Sequence, residues 1–399
     1  MSESTHVLAG EKLVVLRAPA RAVLREPNAG PAAFPAEVAA DVRIDIDEVD
    51  AATLRSVAAD PTVVGFGPAM PMRLVEPAER GGVVAAAAGP TWGVEAVGAT
   101  TSPFTGQGVT VAVLDTGIDA DHPAFAGVDL VTRDFTGGDS AHDKDGHGTH
   151  CAGTIFGRDL DGTRIGVARG VGRALIGKVL GPGGGGSDTI AEAILWARDN
   201  GAHVISMSLG IDFPGFVEKL VTLRGLSIPV ATSLALRAYT ANVQLFETLS
   251  QFLAAGIGQP MVVAATGNES GRDRTPPFEI DVAPPAAAAG IVAVGALGRT
   301  ANGLAVAPFS NSRATVSAPG VGVVSAAVGG GTESMSGTSM ATPHAAGVAA
   351  LWAEKLAAQG QLAPLVLQAK LIGEATTDRL IPGTDPNDTG AGLVRAPQS

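Results

Sequence analysis

Short apolar runs alternate with helix-patterned stretches from Trp92 to the end of this 399-residue chain, and that alternation leaves few folds open. Val109–Leu114, Leu175–Leu180, Val204–Leu209, Met261–Ala265 and Ile291–Val294 read as strands. A strand that is apolar on both faces has to be covered on both faces, as in a parallel sheet inside an α/β domain. Between the runs, Asp188–Arg198 has helical spacing with Asp188 as a candidate cap, and a long helix is expected from Ser339 to about Gln359. The expected fold class is therefore α/β, a mostly parallel central sheet with helices on both faces. Sites in such sheets form where strands end at their carboxyl side.

The stretch before Trp92 has a different texture. Lys12–Arg17 and Val42–Ile46 read as strands, Asp50 as the cap of a helix running to Ala59, and Pro61 as the start of an extended stretch ending near Val75. We expect a small α/β domain over residues 1–77. A Gly-, Ala- and Pro-rich linker or loosely held strand follows over 78–91, with the main domain over 92–399.

A net charge of −12 excludes a nucleic-acid partner, which needs a basic face. No apolar run is long enough to span a membrane. Cys151 is the single cysteine, so no intrachain disulfide forms. Met1–Gly10 lacks the basic and apolar regions of a secretory signal, from which a cytoplasmic location is expected.

Three blocks carry candidate chemistry. Asp115 leaves the first buried strand and precedes Thr116-Gly117; alone it reads equally as a turn aspartate. His147 stands between two glycines in Asp145-Gly-His-Gly-Thr-His150. A metal site over His142, Asp143, Asp145, His147 and His150 is the alternative, but the spacing matches no zinc pattern, so no metal is expected there. Ser339 opens a helix, where free N–H groups favour an anion; alone it reads as an N-cap serine. Asn268 follows the strand ending at Ala265, where its amide could reach the same anion. Together, a carboxylate, an imidazole and a hydroxyl make an activated nucleophile.

These blocks match the subtilisin-like serine peptidases nearly word for word from Trp92 onward: Asp-Thr-Gly at 115–117, His-Gly-Thr-His-Cys-Ala-Gly at 147–153 and Gly-Thr-Ser-Met-Ala-Thr-Pro-His at 337–344, in that family's order. The resemblance implies that Asp115 orients His147, that His147 is general base and then acid, that Ser339 attacks, and that Asn268 stabilises the oxyanion. It further implies peptide binding by main-chain pairing, with Gly181, Ser208, Leu209, Gly210 and Gly267 as substrate contacts. The implied activity is that of an endopeptidase acting on peptide or protein substrates. Residues 1–77 resemble the family's propeptide more loosely, implying an intramolecular inhibitor that is removed by a cut between about Glu76 and Gly89. A permanent structural subdomain is the competing reading of that unit. The rival functions are a cytoplasmic processing protease with few substrates and a peptide-binding scaffold without turnover; the intact triad argues against the scaffold.

Two departures from the family pattern stand out. Residues 211–239 are longer than usual and lie after the Ser208–Gly210 strand, as a wall or lid, a partner-docking element or a surface excursion. The chemistry requires no cofactor, while calcium commonly stabilises the family. The usual acidic ligand after His-Pro is Ala124 here, which leaves Asp159–Gly162 as a weak candidate loop.

Overall fold

A computed structural model describes residues 11–19, 42–84, 88–256 and 259–399. Met1–Gly10, the stretch in which the absence of a signal was read, lies outside the described residues.

The first unit has strands β1 (Lys12–Arg17), β2 (Arg43–Glu48) and β3 (Val63–Pro68), with helix α1 (Ala51–Ala59) between the last two. β1 is central and antiparallel to both neighbours. Asp50 caps α1, accepting from the Ala52 and Thr53 N–H groups. Two further strands of the same segment, β4 (Pro71–Leu74) and β5 (Glu79–Val83), leave this unit and cross the rest of the molecule as a strap.

The main sheet is built on β6 (Thr110–Asp115), β7 (Asp129–Asp134), β8 (Arg173–Lys178), β9 (Val204–Met207), β11 (Met261–Ala265), β12 (Val292–Thr300), β13 (Gly303–Val306) and β14 (Val316–Pro319); β10 (Leu209–Ile211) stands outside it. Its order is β13-β12-β11-β9-β6-β8-β7, with β14 also against β12, and every pairing but β12–β13 is parallel. Period-two alternation divides the core. Val111, Val113, Ala174 and Ile176 face one layer, which holds helix α2 (His147–Phe156) and the alanine-rich helix α6 (Thr338–Ala358). Ala112, Leu114 and Leu175 face the other, covered by α3 (Ser187–Asp199), α4 (Phe213–Thr222) and α5 (Ile228–Ala254).

The first unit lies on this second layer. Val14 and Leu16 of β1, both fully buried, join the core of α3 and α5, whereas among the described residues Leu13 and Val15 on the opposite face have Val49 and Val57 as buried companions. Docking each apolar side chain of the other face is worth about 1.5–3 kcal/mol, so the unit gains much of its order from the helices beneath it.

The 211–239 segment is explained by that docking. It forms β10, α4 and the first turns of a 27-residue α5. Lys219 and Arg224 on and after α4 both pair with Glu11 at 3.1 Å, and Asn242 Nδ2 of α5 donates to the Pro68 carbonyl at 2.9 Å. Phe216 and Leu220 are buried, and Phe213 meets Tyr239 edge-on at 5.8 Å. The segment thus packs on itself and also, through Lys219 and Arg224, against the chain's own amino-terminal unit.

Asp188 departs from the sequence expectation. Gly186 is the N-cap of α3, and Asp188 lies in its first turn, where it pairs with Lys12 at 2.6 Å. A carboxylate one step inside a helix still interacts favourably with the dipole, and the cross-domain lysine gives it a better partner than its own backbone.

Candidate active site

Asp115 is the last residue of β6, and His147 is the first of α2. Two glycines allow the helix to approach the strand end: Gly117 has φ +110°, and a Cβ on Gly148 would collide with the Gly117 carbonyl oxygen. With α2 pressed this close, His147 Nδ1 lies 2.7 Å from Asp115 Oδ1, both side chains being essentially inaccessible.

Asp143 holds this corner together, a residue that the sequence suggested only as part of a metal set. Its Oδ1 accepts from the Asp145 and Gly146 N–H groups and from Thr116 Oγ1, and its Oδ2 accepts from the N–H and hydroxyl of Thr149. Thr116 Oγ1 in turn accepts from the Gly148 N–H at 2.9 Å. Burial opposes the Asp143 charge, but these donors outweigh it and hold its carboxyl below the usual range. His150 points away from the cleft, with Nε2 3.0 Å from the Val323 carbonyl, and burial pushes its pKa down to about 3. Among the described residues, the group of three or more candidate metal ligands is Asp115, His147 and Cys151. In the Asp159–Gly162 loop, the Asp159 carboxylate is paired with Arg169 at 2.8 Å, so a cation there would have to displace a guanidinium. That donor set does not fit calcium well.

Burial works against a charged His147, yet the carboxylate of Asp115 at hydrogen-bond distance raises its pKa well above the ordinary value. Cys151 lies 3.8 Å from His147 Nδ1, but burial pushes its thiol up, so it stays neutral and Asp115 is the charge that acts on the ring. His147 Nε2 is buried and has no hydrogen-bond partner among the described residues.

Ser339 is the second residue of α6, so its N–H has no carbonyl one turn back within the helix. Pro343 lies four residues on and has no N–H to give the Ser339 carbonyl. That carbonyl accepts instead from Ser208 Oγ at 3.2 Å and Cys151 Sγ at 3.4 Å. Two side chains from other elements thereby fix the turn that presents Ser339. Asn268 is fixed in a similar way. Its Oδ1 accepts from the Thr338 N–H and hydroxyl, both at 2.9 Å, leaving Nδ2 free to point into the cleft. Gly267, at φ +116°, donates its N–H to Thr338 Oγ1 at 3.2 Å, so it positions Asn268 rather than presenting an N–H to the cleft.

The strap runs through this cleft. β4 lies between two antiparallel partners, Gly185–Gly186 and β10, with Arg73 opposite Gly210 and Leu74 opposite Leu209. The Val75 N–H donates to the Ser208 carbonyl at 3.2 Å. The Gly183–Gly186 run thus supplies one of the two pairing edges, while Gly181 bridges Gly184 and lines the hollow beside Met72 and Leu74. At the centre, Ser339 Oγ donates to the Val75 carbonyl at 2.8 Å, and Asn268 Nδ2 donates to the next carbonyl, that of Glu76, at 2.8 Å. Beyond it, the Ala78 N–H donates to the Ser336 carbonyl at 2.7 Å, and β5 pairs antiparallel with β16 (Thr332–Ser336), whose other edge pairs with β15 (Val323–Ala326).

Residues 106–392 match the subtilase (peptidase S8) family. Among curated proteins, the chain is 36% identical over 271 residues to an alkaline elastase of Bacillus sp. strain YaB, covering 66% of this chain and 60% of that protein. It is 35% identical over 303 residues to an intracellular serine protease of Paenibacillus polymyxa, covering 72% and 79%. With subtilisin Savinase of Lederbergia lenta the figure is 35% over 272 residues, covering 66% and 84%. The match therefore spans under two thirds of the elastase.

Proposed function

Because this chain belongs to the subtilase family, we propose that it is a serine endopeptidase whose amino-terminal unit holds it latent. In this reading His147 Nε2 takes the proton of Ser339 Oγ as the hydroxyl attacks a peptide carbonyl, and Asp115 stabilises the imidazolium and fixes its orientation. Asn268 Nδ2 and the Ser339 N–H receive the oxyanion. His147 then protonates the leaving amine, and water releases the acyl group from Ser339 by the reverse sequence. No metal takes part in these steps. Substrate peptides bind as β4 does, as a strand between Gly185–Gly186 and β10.

The observation that carries this reading is the buried 2.7 Å contact between Asp115 and His147, together with the bond from Ser339 Oγ to a peptide carbonyl of the strap. Latency rests on the split between the two central contacts. A substrate needs one carbonyl both attacked by Ser339 and held by Asn268. The strap divides those contacts between Val75 and Glu76, and the amide after Glu76 is that of Pro77. The strap fills the site one residue out of step with cleavage. A cut between about Glu76 and Gly89 then needs local slippage or a second enzyme molecule. The likeness to an intracellular serine protease supports an intracellular setting, and a processing protease with few substrates is the second reading.

The test compares the intact chain with Ser339→Ala by intact mass and by fluorophosphonate labelling. We expect labelling in the wild type alone, slow at first and faster once the chain has been cut between residues 76 and 89. Absence of labelling before and after deliberate removal of the strap would refute the peptidase.

A further inference from the structure

The half of the strap beyond the reacting centre makes contacts that latency does not require. Arg80 of β5 donates to Asp145 Oδ1 at 2.7 Å and to the Asp145 carbonyl at 3.2 Å, and lies 3.7 Å from the Glu76 carboxylate. Glu333 of β16 acts on the same guanidinium, and the buried Asp143 stands behind. Burial, with Asp143 and Asp145 nearby, pushes the Glu333 carboxyl up. Asp145 and Glu333 therefore form an acidic notch on the lip of the cleft, two residues from His147, and a peptide strand already places an arginine in it. The notch has an edge to read from: besides the Ala78 bond, the Val84 N–H donates to the Thr332 carbonyl at 2.9 Å.

We propose that the β16 edge together with Asp145 and Glu333 is a substrate subsite on the leaving-group side, selecting an arginine or lysine four residues beyond the carbonyl held by Asn268. The spacing is that of Glu76 to Arg80. This rests on the peptidase reading and adds the substrate class. Once the strap leaves, the exposed Asp145 and the half-buried Glu333 lose their cation; a basic side chain restores it, and an acidic one is repelled.

Two measurements test this. The first uses the full chain carrying Ser339→Ala, in which no cleavage interferes. Arg80→Glu should speed hydrogen exchange at the Ala78 and Val84 amides about tenfold or more, and adding Asp145→Lys should restore most of the protection. Failure of the opposite charge to rescue overturns the notch as a charge-reading site. The second uses the full chain loosened by Leu74→Asp and a pair of internally quenched peptides with arginine or glutamate at the fourth residue. Arginine should be preferred by about tenfold in kcat/KM, mostly through KM, and the preference should collapse with Asp145→Asn plus Glu333→Gln. Equal cleavage of both peptides overturns the subsite while leaving the peptidase standing. Cleavage of neither, with no fluorophosphonate labelling, overturns both.

Discussion

The strap enters the cleft as one kind of strand and leaves it as another. β4 is paired on both edges and buries Met72 and Leu74, whereas every residue of β5 is exposed and only one edge is paired. Main-chain pairing is common to both halves, so the difference lies in side chains. The first half is retained by apolar burial and by the unit docked on α3, α4 and α5. The second is aligned by hydrogen bonds and a surface guanidinium. Holding and aligning are thus done by different residues, and each can be perturbed alone.

The largest effect should come from the centre, where the two halves meet. Ser339→Ala or His147→Ala should remove about 10⁶-fold of turnover, the scale already known for these groups in a subtilisin, while exchange protection of β4 and β5 persists. Asn268→Ala should cost about 10²–10³ in kcat, again a scale known from this family, and should also release the Glu76 carbonyl.

Next in size is the contrast itself. Leu74→Asp places a charge in the buried half and should weaken strap retention by about 2–4 kcal/mol, read as faster fluorophosphonate labelling of the intact chain. Val83→Asp, at a residue 80% exposed, should move it by less than about 0.5 kcal/mol. Equal effects would erase the division of labour. Glu11→Gln, which removes both ion pairs to the α4 platform, should cost about 1 kcal/mol or less, since its partners are partly exposed.

Acid should act on the main domain through its buried histidines. His150 and His344 are buried with pKa values pushed down to about 3 and about 4. The unfolded chain binds protons at these residues below about pH 6.5 and the folded chain does not. Stability therefore falls as pH drops from that point towards 3–4. His147 works in the opposite sense: its raised value adds stability that is present at low pH and lost as pH rises through the folded pKa. Thermal unfolding followed across pH 4–8 should show the midpoint dropping on the acid side, and His150→Gln should flatten that slope if it folds. Labelling of Ser339 should rise with pH with a midpoint above that of an ordinary histidine.

The candidate site side chains were legible because each stands in a short block whose glycines and strand-end position imply close backbone approach. The parallel sheet was legible because its strands are apolar on both faces. What stayed hidden depends on distant pairs. Asp143 looked like a stray acid because its five donors come from Thr116 and from residues 145–149, and only the fold brings Thr116 to it. Ser208 was expected to serve peptides alone; its hydroxyl is needed because Pro343, 135 positions later, leaves a carbonyl bare. The 211–239 insertion carried helical apolar spacing but no mark of its partner, since Glu11, which Lys219 holds, lies 208 positions earlier.

The place occupied by β4 has one more consequence. A guest there is gripped along both edges at once, by Gly185–Gly186 and by β10. A segment already woven into a sheet or coiled in a helix has spent its N–H and C=O groups and has no free edges to offer. In the proposed peptidase such a cleft would sense the folding state of a polypeptide before its sequence. Compact proteins would pass by, while loops, tails and unfolded chains would be admitted, and how long a neighbouring protein survives would become a function of how often it opens.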